Sequence, residues 1–291
     1  MRREIFVQKT GSYPISFARI NLSVTKISYP FPIFSTATVT SQISEQQMAS
    51  KAQSPDSLYG ADFHADRDAR TRAAARLILG KMKEWVQPTS ACDVGCGVGT
   101  WLSVAEEIGI SEVQGFEGPW AKTANLVLNP DQVSFQDLED KVSIDRTFDL
   151  VISLEVAEHL AETRAKSFAA DLCALGDCVL FSAAIPFQGG TGHVNEQWQS
   201  YWAAHFADQR FAAFDPIRPM IWQNDDIAFW YRQNMVVYAR EGSSAAKSLA
   251  AHGFGAPAML DLVHPDQYLH AEAAQPARAI GRKLRKVFSR D

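Results

Sequence analysis

Glu155, Glu158 and His159 fall together in the run EVAEHL, at spacings of three and four. On a helix that spacing puts all three side chains on one face. Two carboxylates and an imidazole converging there could act as general acid and base toward a hydroxyl. They could equally hold a divalent cation, and Mg²⁺ or Mn²⁺ would suit such a set of oxygen and nitrogen ligands. A histidine that only packs or caps a helix is the plain alternative. His193 lies in GGTGHVNEQW, where three glycines in four residues suggest close backbone approach. It is a further candidate base or ligand, so His159, His193 and Glu158 are the expected catalytic residues. The expected cation ligands are Glu155, Glu158, His159 and His193.

A second group surrounds Cys92-Asp93-Val94-Gly95-Cys96-Gly97-Val98-Gly99-Thr100. A short apolar run ends in an acid, and glycines at every second position lead into a helix. Glycine lets the backbone adopt left-handed angles and approach a ligand closely. A dinucleotide site would need its third glycine one residue later, where Thr100 stands, and a phosphate loop would need a lysine before its Ser or Thr. Asp93 would repel a phosphate and suit a cationic amine. The loop therefore favours a ligand with a positive portion.

These residues need a scaffold. Ala74, Ile78, Met82 and Trp85 predict a helix over 66–85, stopped before Pro88. Strands are expected at 91–94, 113–117, 133–135, 148–154 and 178–183, with helices over 100–108 and 160–174 between them. Gly109 closes the first of these helices. Strands alternating with helices imply βαβ units and a mostly parallel sheet. Trp198, Tyr201, Trp202, His205 and Phe206 recur at helical spacing, so most of them should be core. The run MVVYA at 235–239 reads as a late strand.

The 291 residues are 46% hydrophobic and 21% charged, which is a globular composition. A net charge of −5 argues against a nucleic-acid coat, and the segment 57–240 shows no basic stripe. No apolar run approaches the roughly 18–20 residues of a membrane helix. Cys92, Cys96, Cys173 and Cys178 read as buried thiols of a cytoplasmic protein rather than as zinc ligands. Residues 1–56 are acid-poor and Pro- and Ser-containing, and are expected to be a poorly structured extension. Residues 241–291 divide into an Ala-rich segment and a basic amphipathic tail. In that tail Arg278, Arg282, Lys283, Arg285, Lys286 and Arg290 surround Ile280, Leu284, Val287 and Phe288. A weak contact with an anionic membrane surface is one use for such a tail.

The motif DVGCGVGT resembles the first motif of class I S-adenosylmethionine-dependent methyltransferases, and the resemblance extends over about 57–240. It implies an α/β, Rossmann-like doubly wound sheet of seven strands with the last antiparallel. It implies that Gly95, Gly97 and Gly99 line the methionine part of the cofactor, with Asp93 orienting it. Glu117, 18 residues beyond Gly99, matches the acid that bonds both ribose hydroxyls, and Asp137-Leu138 matches the pair that contacts adenine. The E-x-x-E-H pattern resembles metal-assisted O-methyltransferases, among them small-RNA 2′-O-methyltransferases. The expected activity is methyl transfer from S-adenosylmethionine to a hydroxyl oxygen of a small molecule or glycan. RNA 2′-O-methylation and a non-catalytic cofactor-binding scaffold are the alternatives. The sequence leaves the acceptor and the oligomeric state open.

Overall fold

The computed structural model describes residues 61–273; the expectations for residues 1–56 and for the basic tail lie outside them. Helix α1 (Ala61–Val86) buries the stripe read from the sequence: Ala74, Ile78 and Met82 are no more than 1% exposed, and Trp85 is buried with them. Gln87, at a positive φ of 52°, turns the chain out of the helix ahead of Pro88. Strand β1 (Ser90–Val94) is buried at every position and runs through the glycine loop into α2 (Thr100–Glu107). Gly109, at φ 85°, closes α2, and the Ile110 amide donates back to the Ala105 carbonyl at 2.9 Å.

The chain continues through β2 (Glu112–Glu117), β3 (Val133–Phe135), β4 (Leu150–Leu154), α3 (Ala165–Leu175) and β5 (Cys178–Ser182). It then forms α4 (Gln199–Asp208), β6 (Phe211–Phe214), α5 (Arg218–Ile221), α6 (Phe229–Asn234) and β7 (Val236–Arg240). Two helices follow, α7 (Ser244–Ala251) and α8 (Pro265–Ala273). The seven strands form one sheet in the order β3-β2-β1-β4-β5-β7-β6. Neighbouring strands from β3 to β5 are parallel, and β7 pairs antiparallel with both β5 and β6. The expected doubly wound sheet with an antiparallel last strand is present.

Two apolar cores cover the faces of the sheet. One joins α1, α2 and α7 through residues such as Ile78, Leu102 and Leu249. The other joins α3 and α4 through Phe168, Leu172, Trp202 and Phe206. Strand order reverses between β1 and β4, and ligands of open α/β sheets bind in the crevice at such a switch point. The carboxyl ends of β1 and β4 carry Gly95 and Glu155, the two motifs singled out above.

Two expectations are corrected. Strand β6 was not read from the sequence, because its run FAAF is too short and too Ala-rich to declare a strand; pairing with β7 supplies it. The helix expected from 160 starts at Ala165. Leu160 and Ala161 are extended at ψ 150° and 143°, and the Ala161 amide is capped by Glu139 Oε1 at 2.8 Å. The described chain beyond 240 packs on the same unit. Ser248 Oγ donates to the Trp85 carbonyl, and the buried Arg218 guanidinium donates to the Leu260 carbonyl at 2.7 Å.

Candidate active site

A cleft of about 810 Å³ opens at the carboxyl ends of β1 and β4. It is lined by Asp93, Gly95, Cys96, Gly97 and Val98 of the loop, by Trp101, Trp120 and Trp230, and by Glu155 and Tyr231; the Trp101 and Tyr231 rings meet edge to face at 5.6 Å. Gly95, Gly97 and Gly99 all have positive φ, at 86°, 57° and 91°. A methyl at Gly95 would meet Val156 at 2.2 Å, and one at Gly99 would meet Leu128 at 2.7 Å. The loop can therefore lie this close to β4 and to the 128 segment only without side chains. Among the described residues, no Lys or Arg lines the cleft.

Asp93 is 3% exposed. Burial, and after it the charge of Glu117, hold its carboxyl well above the usual carboxylate range. A buried acid in this state is relieved by a cationic ligand. Glu117 ends β2 and is also buried; its Oε2 accepts the Gly97 amide at 2.6 Å and its Oε1 accepts the Gly118 amide at 2.7 Å. It braces the glycine loop from the neighbouring strand. Asp137 and Leu138 follow β3, outside the cleft lining. Asp137 is exposed and accepts the Glu139 amide, while Leu138 is buried in the second core.

The acceptor-side motif is rearranged. Glu155 sits at φ 57° just past β4, and Ala157–His159 form a single 3₁₀ turn. No helix face carries the three residues, so Glu155 leaves the group that its spacing suggested. Glu155 lines the cleft, and its carboxylate is held by amides: Asn234 Nδ2 donates to Oε1 at 3.1 Å and Gln188 Nε2 to Oε2 at 2.9 Å. Gln233 Nε2 donates in turn to Gln188 Oε1 at 3.2 Å and to Asn234 Oδ1 at 3.0 Å. These three amides are buried. Burial still raises the Glu155 pKa, against the lowering effect of its donors.

Glu158, His159 and His193 do converge. One ligand atom from each lies within 4.8 Å of the others, the group of metal-ligating side chains found among the described residues. Glu158 is fully buried; no side chain donates to its carboxylate, and the nearby Glu158 and Ala184 backbone amides only partly offset the cost of burial. Burial first and the charge of Glu155 second push its pKa up to about 9. His193 Nε2 stands 3.9 Å from Glu158 Oε1. The two imidazole rings meet edge to face at 4.9 Å between centroids. His159 Nδ1 is 3.3 Å from the Gly192 carbonyl oxygen, and burial lowers the pKa of this ring. The four cysteines are buried and unpaired, as expected.

Sequence reasoning missed Trp120, Glu196 and the role of Gln188. Trp120 follows Gly118, where any side chain would strike the indole at 2.7 Å; a Gly-Pro-Trp run after an acidic strand end was the available signal. Gln188 and Glu196 gave no signal of their own, because each acts through partners distant in sequence or through loop backbone.

The fold, the glycine loop and the buried acid at its base define a class I S-adenosylmethionine-dependent methyltransferase. A methyltransferase-domain family model matches residues 63–216, more than half of the chain, and the chain belongs to that family. No curated protein gives a significant match. Among solved structures the chain is similar to DesVI of Streptomyces venezuelae, at 14% identity and a TM-score of 0.49, over 65% of this chain and 100% of that one. It is also similar to the magnesium protoporphyrin IX methyltransferase of Synechocystis with bound S-adenosylmethionine, at 15% identity and a TM-score of 0.44, over 67% and 89% of the two chains. A third likeness is to an amino pentose methyltransferase from Micromonospora echinaspora, at 15% identity and a TM-score of 0.45, over 62% and 98%. Among the described residues no helix is long and apolar enough to cross a membrane.

Proposed function

We propose that the protein transfers a methyl group from S-adenosylmethionine to a hydroxyl oxygen of a glycan or small-molecule acceptor. The observation that carries this reading is the convergence of Glu158, His159 and His193 within 4.8 Å, close in sequence to Glu155, which lines the cleft. Bound S-adenosylmethionine supplies an activated sulfonium methyl for in-line displacement. Asp93 holds the cationic amino-acid portion, and Gly95, Gly97 and Gly99 let the backbone approach it. Glu117 retains unused lone pairs for the ribose hydroxyls while it holds the loop amides. Trp120, which lines the cleft, is assigned to the adenine face; Asp137 and Leu138, outside its lining, are assigned to the adenine edge on the resemblance alone.

On the acceptor side, the residues orient a hydroxyl toward the methyl and receive its proton. Orientation contributes most of the rate in such a displacement. His193 Nε2 and His159 are the groups within reach to take the proton, and Glu158 is the buried acid beside them. A buried carboxylate to which no side chain donates also fits a divalent cation. Glu158, His159 and His193 would hold it, and it would lower the pKa of the acceptor hydroxyl. With Glu155 committed to amides, one carboxylate and two imidazoles remain, a set that suits Mn²⁺ and later transition metals better than Mg²⁺.

Trp230 and Tyr231, which line the cleft, supply flat apolar faces of the kind sugar rings and phenols stack on. The absence of Lys and Arg from the described lining speaks against a polyanionic RNA acceptor. Buried, unpaired cysteines support a cytoplasmic setting. The test is release of S-adenosylhomocysteine across glycosides, phenols and short RNAs. Turnover with a neutral hydroxyl compound, lost in His193→Ala, is the expected result. Turnover with RNA alone would replace the acceptor assignment, and absence of turnover with intact cofactor binding would favour a scaffold.

A further inference from the structure

We infer that Glu196 is the positioning residue of the acceptor site: it fixes the tautomer and place of His193, so that Nε2 presents a lone pair to the Glu158–His159 group. The inference deepens the proposed methyl transfer and rests on that reading for its catalytic consequence, though not for its geometry.

Glu196 is the hub of the glycine-rich loop. Its Oε1 accepts the Gly189 amide at 2.8 Å and lies 2.9 Å from His193 Nδ1. Its Oε2 accepts the Phe187 amide at 2.8 Å. Two backbone donors that point at one carboxylate hold it in place. A carboxylate oxygen accepts hydrogen bonds, so the 2.9 Å contact is made with the ring proton on Nδ1. Nε2 is then the unprotonated nitrogen, and it is the atom 3.9 Å from Glu158 Oε1.

The rest of the loop holds the ring in that orientation. The Val194 and Asn195 amides both donate to the Glu158 carbonyl, at 2.9 and 3.0 Å, so the segments carrying His193 and Glu158 are tied together by backbone. Gly190 leaves the space the imidazole occupies: a methyl there would lie 2.2 Å from Nε2. Phe187 takes a positive φ of 70° and is 87% exposed. The turn that brings its amide to Glu196 is thus adopted at a cost in backbone strain. Carboxylate partners of this kind fix ring orientation and tautomer, and their loss typically lowers activity by about 10- to 100-fold.

Nitrogen-15 NMR of histidine-labelled protein, without added ligand, reads the tautomer directly from long-range couplings. Wild type should show His193, assigned by loss of its signals in His193→Ala, as the Nδ1–H form. Glu196→Gln should show a mixed or inverted pattern, with turnover down about 10- to 100-fold and cofactor affinity unchanged. Glu196→Ala with an unchanged melting temperature would guard against a folding artefact. An Nε2–H signature in wild type, or an unaltered one in both variants, overturns the inference. Failure of methyl transfer in wild type would sink the proposed function instead and leave the tautomer result standing.

Discussion

The amide of Gly97 donates to Glu117 Oε2 at 2.6 Å, joining the glycine loop after β1 to the end of β2. One carboxylate thus shapes the loop that lines the cleft. Removing a charged acceptor typically costs about 1.5–3 kcal/mol, so Glu117→Ala should weaken cofactor binding by roughly 10- to 150-fold. Calorimetric titration with S-adenosylmethionine checks this, and an unchanged dissociation constant would remove Glu117 from the cofactor site.

Gly190→Ala should separate acceptor chemistry from cofactor binding. Its methyl would lie 2.2 Å from His193 Nε2, so the ring must move out of register with Glu158. Losing a placed acid–base group costs about 100-fold or more in rate. The expected result is that drop in kcat with the cofactor dissociation constant unchanged. Retained kcat would show that His193 need not occupy its observed position.

Glu158 makes stability depend on pH in a stated direction. Burial, and after it the charge of Glu155, push its carboxyl up to about 9 in the native protein, against an ordinary value of 4.5. Between those values the unfolded chain releases the proton and the native one keeps it, so native stability falls as pH rises. Below 4.5 both states are protonated and the effect vanishes. Glu158→Gln carries no proton to lose. In chelator-treated protein, its melting temperature should gain on wild type progressively from pH 5 to pH 8. A gap that stays constant across that range would contradict the buried, protonated acid.

Chelation tests the cation. EDTA should abolish turnover while calorimetry still shows cofactor binding, and Mn²⁺ should restore the rate more fully than Mg²⁺, given two imidazoles and one carboxylate. Full turnover in EDTA would instead assign the proton to a metal-free base. His159→Ala and His193→Ala would then distinguish the two rings.

The sequence by itself determined what depends on local pattern. The α1 stripe, the βαβ alternation, the positive-φ glycines of DVGCGVGT and the acids at strand ends were legible, because helix period, apolar runs and glycine chemistry act within a few residues. Tertiary structure decided the rest. FAAF became β6 only because β7 offered its free edge. Glu155 left the EVAEHL group because its backbone turned left-handed at the end of β4 and Asn234, 79 residues away, met its carboxylate. His193 joined Glu158 across 35 positions, held by Glu196 and two amides on the Glu158 carbonyl. A motif's spacing fixes geometry only while the backbone stays regular. Past the end of a strand, hydrogen bonds between distant segments determine which side chains meet.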